Sequence, residues 1–169
     1  MNDPRGLNIA GALAVALSDA IHNAAQAVAP ERGPAAAALM ILAHLPGIGA
    51  EEVRTAVGLS HPGAVRLIDR LQARGLVTRA AHPVDARRVA LRLTDAGEAM
   101  AAEIARRRMA TMDKALAALD PVEAQTFTAL ADKMLRALVT SEADALQICR
   151  LCEDGACRDC PVEAKLAAA

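Results

Sequence analysis

Aromatic side chains are almost missing from this chain: among 169 residues there is one Phe (Phe127), no Tyr and no Trp. The strands of sandwiches and barrels draw on aromatic and β-branched residues, so an all-β fold is excluded. Binding of single-stranded nucleic acid by stacking bases on aromatic rings is excluded with it. A surplus of charge is missing too. With 19 Lys plus Arg against 20 Asp plus Glu, the net charge is −1, which by itself points to no polyanionic partner. No apolar run reaches the roughly 18 residues of a membrane-spanning helix, so no membrane partner is expected. The best stretches, residues 9–17 and 35–45, are shorter and are interrupted or bounded by polar side chains. The start, Met1-Asn2-Asp3-Pro4, has neither the charged opening nor the apolar core of a secretion signal, and a cytoplasmic protein is expected. In that reducing setting, four cysteines suggest thiols or metal ligands before disulfides.

Catalytic signatures are lacking as well. Neither G-x-x-x-x-G-K-[ST] nor G-x-G-x-x-G occurs, so a nucleotide-dependent enzyme has no support. The four histidines, His22, His44, His61 and His82, are scattered, and no Ser/His/Asp set or carboxylate pair can be argued for. His22 and His44 fall on otherwise apolar helices, as core or pocket residues do. Met100, Met109, Met112 and Met134 are expected as flexible core filler. No enzyme is expected.

Alanine is abundant, at 42 residues, and the apolar content is therefore largely small and helix-favouring. Residues 7–28 place Leu13, Leu17, Ile21 and Val28 on one helical face, and Pro30, Gly33 and Pro34 close that helix. Residues 35–45 are apolar nearly all round, the pattern of a buried helix, and Pro46-Gly47 breaks it. A compact helix over 50–57 closes on Gly58. Ser60 then caps a new one over about 61–74, with Pro62 in its first turn and Gly75 at its C-terminal end.

Past Gly75 the period drops from 3.6 to 2. Residues 76–79 and 88–93 predict two strands, the second alternating Val89, Leu91 and Leu93 against Arg88, Ala90 and Arg92. Residues 81–87, with Pro83 and Asp85, form the loop of a hairpin. Thr94 caps a long helix over 95–119. Asp120, Pro121 and Glu123 then open another over 122–139, with Phe127, Leu130, Met134 and Leu138 along one face. A last short helix, capped within 141–144, runs into the cysteines.

Helix, tight turn, helix and hairpin, in that order, make a winged helix-turn-helix: the second helix enters a major groove and the hairpin reaches along the backbone or into the minor groove. The fold expected is mainly α with a small β-hairpin. Arg66 and Arg70 lie one turn apart on the second helix, Arg74 extends the row, and the hairpin adds Arg79, Arg87, Arg88 and Arg92. Residues 51–92 hold those seven plus Arg54, against Glu51, Glu52, Asp69 and Asp85, a local charge of +4 inside a chain of −1. Arginine binds phosphate or guanine through two parallel hydrogen bonds.

These residues also carry a family likeness. Gly58-Leu59-Ser60, the run from Val65 to Leu71, Arg74-Gly75-Leu76-Val77 and Leu91-Arg92-Leu93-Thr94-Asp95-Ala96-Gly97 resemble the MarR family of bacterial winged-helix regulators, in family order over about residues 35–100. The resemblance implies a homodimer on a pseudo-palindromic operator in double-stranded DNA, usually a repressor released by a small molecule or a redox signal. Carried over by position, Ser60, His61, Pro62, Gly63, Val65, Arg66 and Arg70 would face the groove, and Arg87 and Arg88 the wing. The family usually has Thr or Ser near Gly63 and Val65, and its wing often opens with Asp followed by Arg, where this chain has His82 and Val84. The organisation implied is a dimerisation helix in 1–33, the winged domain in 34–94, and dimerisation helices in 95–145.

Residues 146–169 lie outside the family pattern. They hold all four cysteines, Cys149, Cys152, Cys157 and Cys160, as C-x2-C-x4-C-x2-C. Two Cys-x-x-Cys pairs are the usual way to give tetrahedral zinc two thiolates from each side. Gly155 supplies a turn between the pairs, and Pro161 is expected to stop local helix. The spacing Cys152-x4-Cys157-x2-Cys160 also matches a plant-type iron–sulfur arrangement, and reactive dithiols or disulfides are the third reading. The segment is either a structural clip or a sensor of metal or redox state. The opposing reading of the whole chain is a metal- or cluster-carrying redox or interaction protein whose winged domain binds protein, not DNA.

Overall fold

The computed structural model describes residues 3–81, 88–157 and 159–167. Asp3 accepts the amide of Gly6 at 3.0 Å and starts helix α1, Pro4–Gln26, with Pro4 in the first turn, where an amide would be orphaned anyway. The helix therefore begins a turn earlier than the apolar stripe suggests. The chain turns back through Gly33, whose amide and carbonyl are both held by the side-chain amide of Gln26. Helix α2, Ala35–His44, is buried from Ala35 to Leu42, as its all-round apolar pattern predicts.

Helices α3, Ala50–Val57, and α4, His61–Ala73, form the helix-turn-helix pair. Gly58 between them takes φ 68°, and Gly75 after α4 takes φ 70°, a backbone conformation that costs glycine little. Val53, Ala56, Ala64, Leu67, Ile68 and Leu71 face inward and join Leu39, Ile41 and Leu42 in the core.

Strands β1, Val77–Ala81, and β2, Val89–Leu93, pair antiparallel with Val77 opposite Leu93 and Ala81 opposite Val89. On its other edge β2 exchanges backbone hydrogen bonds with the α2–α3 connection: Gly47 donates to the Leu91 carbonyl, and Leu91 donates to that of Ile48. The alternation expected of β2 holds only near the body. Leu91 is buried and Leu93 half-buried, but Val89 is 51% exposed and Ala90 is buried instead. Ala80 and Ala81 opposite are exposed as well, because the outer ends of the two strands lie past the core.

Thr94 ties the end of this unit to helix α5, Asp95–Leu116: its hydroxyl donates to the Gly75 carbonyl at 2.6 Å and accepts the Gly97 amide at 3.1 Å. Helix α5 packs on α1 and α2. Helix α6, Pro121–Leu138, opens with the capping box of Asp120 and Glu123 and buries no residue of its own. Met109 and Met134 are 43% and 61% exposed, so neither fills the core as expected. Helix α7, Glu142–Cys149, capped by Ser141, lies along α3. Pro161 does the opposite of what was expected. It opens helix α8, Pro161–Ala167, at the position where proline is tolerated, and α8 packs on α6 and α7.

Candidate nucleic-acid interface

Helix α4 presents its polar side outward. Ser60 caps it by accepting the Gly63 amide at 3.3 Å, leaving its hydroxyl proton free to donate. Ser60, His61 and Pro62 are exposed at the helix start, and Gly63 and Val65 are half-buried. His61 lies 3.8 Å from the Glu51 carboxylate on α3. The glycine at 63 matters to this corner, since a Cβ there would stand 3.2 Å from the Ser60 hydroxyl oxygen.

The arginines divide sharply by partner. Arg54 binds Glu51, Arg79 binds Asp69 at 2.6 Å, and Arg88 binds Glu52 at 3.0 Å. Arg70 donates to the carboxylate of Glu31, and Arg74 to the Pro30 carbonyl at 2.6 Å. The Arg70 hydrogen bonds hold the Glu31 carboxyl below the usual carboxylate range, with the charges of Arg70 and Arg74 adding to the effect. Arg92 lies beside Gly47 and lines a cleft. Arg66 is exposed on the outer face of α4 and, among the described residues, has no acidic partner. Glu51, Asp69 and Glu52 are already counted in the local +4, and Glu31, which lies outside the counted segment, lowers it to +3. Arg87, expected at the wing with His82 and Val84, lies outside the described residues.

Open clefts flank this unit. One, of about 400 Å³, runs between the end of α2, β2 and α5 and is lined by His44, Pro46, Arg92, Glu98, Ala101 and Cys152. Another, of about 570 Å³, includes His22, Gln26, Val57, Leu59 and Leu151. His22 itself is exposed, with Nδ1 at 2.8 Å from the Ser18 carbonyl, and is no core residue.

The cysteines are brought into one neighbourhood. Cys149 and Cys152 interact through their thiols, as do Cys157 and Cys160. The hydrogen bond from Cys149 pulls the Cys152 thiol down to about 6, with Arg108 and His44 adding positive potential. The same bond, with burial, drives Cys149 upward, and burial with Cys160 raises Cys157 to about 11. No three His, Cys, Asp or Glu side chains among the described residues already stand in a metal-holding arrangement. Among the described residues, no helix is long and apolar enough to cross a membrane.

Comparison with known proteins bears on this geometry. A sequence model of the MarR family matches residues 32–88. The crystal structure of the PcaV transcriptional regulator from Streptomyces coelicolor, in complex with its natural ligand, is 30% identical. It covers 73% of this chain and 89% of its own, with a TM-score of 0.52. The transcriptional repressor CouR, bound to a 23-mer DNA duplex, is 23% identical over 75% of this chain and 89% of its own, with a TM-score of 0.57. A MarR family protein from Bacillus stearothermophilus is 20% identical, covers 79% and 96%, and reaches a TM-score of 0.68. No curated protein sequence matches the chain.

Proposed function

The chain belongs to the MarR family of transcription regulators, and from that premise we propose that it is a homodimeric repressor that reads a pseudo-palindromic operator in double-stranded DNA. The observation that carries this reading is Arg66. It is exposed on the outer face of a correctly capped second helix and, among the described residues, is not neutralised by an acid. It is therefore available to a phosphate or a guanine edge. Ser60 and His61 at the helix start flank it, and Arg88 sits at the base of the wing. CouR, of the same fold, was solved on a DNA duplex, which favours DNA over protein as partner of the winged domain.

The dimer reading rests on apolar side chains of α1 and one face of α6 that stay exposed among the described residues. Leu7, Ile9, Leu13 and Val15 of α1 are 45–62% exposed, and Leu130, Met134 and Leu138 of α6 are 57–64% exposed. Two such helices pairing with their copies place the recognition helices on one side of a duplex, about one helical turn apart. A small-molecule effector is part of this reading, supported by PcaV with its natural ligand, and the cleft between β2 and α5 has room for one. The protein works in the cytoplasm and catalyses no reaction. The four cysteines take zinc, with an iron–sulfur cluster as the alternative occupant.

Fluorescence anisotropy with duplexes selected from a random pool tests the function. The expected result is an affinity at least a thousandfold above random DNA, with strong salt dependence. Equal affinity for both across salt overturns it.

A further inference from the structure

The cysteine segment does not trail away from the molecule. Leu151, between Cys149 and Cys152, is buried in the main core with Leu146 packed against it, and Val139 and Val162 are buried on either side. Helix α7 lies along α3, the first helix of the DNA-reading pair, while α8 lies on α6, whose exposed face is the one assigned to dimerisation. The segment therefore connects the two units whose relative position matters for a palindrome. Cys152 and Glu153 also form part of the wall of the cleft that holds His44, Arg92 and Glu98.

Within the segment the two cysteine pairs differ. Cys149 and Cys152 are half-buried on the stretch that Leu151 anchors. Cys157 is exposed and Cys160 half-buried beyond a turn of 3-10 helix, Asp154–Ala156, and Asp159 there has φ 52°, unusual for a residue with a side chain. The pairs share a neighbourhood without already forming a metal-holding set. Bringing four sulfurs to one tetrahedral centre requires the outer pair to move onto the anchored one, and α8 follows directly after Cys160.

We propose that the four thiols gather one thiophilic divalent cation of the zinc class, and that gathering them clamps the C-terminal segment across α3 and the cleft, so that metal occupancy controls the DNA-reading unit. Four sulfurs from two Cys-x-x-Cys pairs satisfy a d10 cation with no protein rearrangement beyond this segment. Each coordinated thiol gives its proton to solvent, and no electron changes hands. Helix α7 already lies on α3 and α8 on α6, so a cation held between the two cysteine pairs links the dimer helices to the helix-turn-helix. Only the last link, the effect on DNA, rests on the regulator reading.

The experiment uses the full chain, stripped of metal under reducing conditions and titrated with Co²⁺ and then Zn²⁺. The expected result is one ion per chain, a visible cobalt–thiolate spectrum that Zn²⁺ bleaches, and loss of both in Cys149→Ser/Cys152→Ser and in Cys157→Ser/Cys160→Ser. Loading slows amide exchange in α3 and α7 at least tenfold, and shifts affinity for a selected duplex at least tenfold. A spectrum that survives in the variants, or iron and sulfide in the protein as isolated, overturns the site. Should the inner-pair variant lose helix, the outer pair, in the more exposed half, decides. Loading with unchanged exchange in α3 overturns the clamp. If no duplex is ever selected, the regulator reading fails, while the exchange measurement still decides the clamp.

Discussion

Arg70 of α4 reaches Glu31, thirty-nine residues earlier, with Nε at 2.9 and 3.0 Å from the two carboxylate oxygens and Nη2 at 2.7 Å from one of them. The Glu31 side chain is 17% exposed, and Arg74 holds the neighbouring Pro30 carbonyl. The row of arginines on the second helix thus has two jobs. Its C-terminal half fastens the helix to the α1–α2 connection, and Arg66 faces outward.

The carboxyl of Glu31 is depressed in the folded chain, chiefly by the Arg70 hydrogen bonds. A depressed carboxylate adds stability that is fully present above its unfolded pKa and is lost as pH falls through the folded value. Thermal unfolding of Glu31→Gln, followed from about pH 7 to about pH 3, is expected to show a lower midpoint at neutral pH and a flatter acid limb than the parent. Parallel limbs would mean that the pair carries no pH-dependent stability.

The proposed function separates Arg66 from Arg70. Arg66→Ala is expected to weaken operator binding by about 1–3 kcal/mol if it reads a base, or to lower the salt slope by about one if it holds a phosphate. Arg70→Ala is expected to lower the thermal midpoint and leave the salt slope nearly intact. Titrations at several salt concentrations, with melting curves of both variants, check the division. A full salt-slope loss in Arg70→Ala would assign that residue to DNA instead.

Gly97 has no room to grow. A Cβ there would lie 2.1 Å from the Leu76 carbonyl oxygen, which already accepts the Thr94 amide at 3.1 Å. Backbone cannot rotate aside as a side chain can. Gly97→Ala is therefore expected to cost at least the roughly 1–3 kcal/mol of an overpacked core site. Chemical denaturation measures it, and an unchanged midpoint would show that α5 can slide on its seat.

Paired substitution Leu130→Glu with Leu138→Glu puts charge onto the exposed apolar side of α6. Sedimentation is expected to shift from dimer to monomer at micromolar concentration, with operator affinity falling at least a hundredfold because each half-site is then bound alone. A variant that remains dimeric would assign the interface to α1 without α6.

What was legible in the sequence was local. Gly58 and Gly75 mark left-handed helix ends, and Ser60, Thr94 and Asp120 mark starts, because each acts through backbone groups within a few residues. The charge arithmetic was less informative, since counting residues 51–92 omits Glu31, and only the fold brings it to Arg70 and Arg74. Val89 fits a strand pattern but not a buried one, because alternation cannot say where a hairpin outruns its core. Pro161 was ambiguous by nature: the ring that blocks a helix interior also suits its first turn.

Helix α6 contributes nothing to the core of its own chain. On the proposed dimer a second chain covers this helix, so folding stability would depend on protein concentration. The melting midpoint should climb on concentrating the sample, as it does not for a self-sufficient monomer. On that reading, copies at low abundance leave the Leu130, Met134 and Leu138 side of α6 bare to water until a second copy covers it, a threshold set by the protein's own dosage.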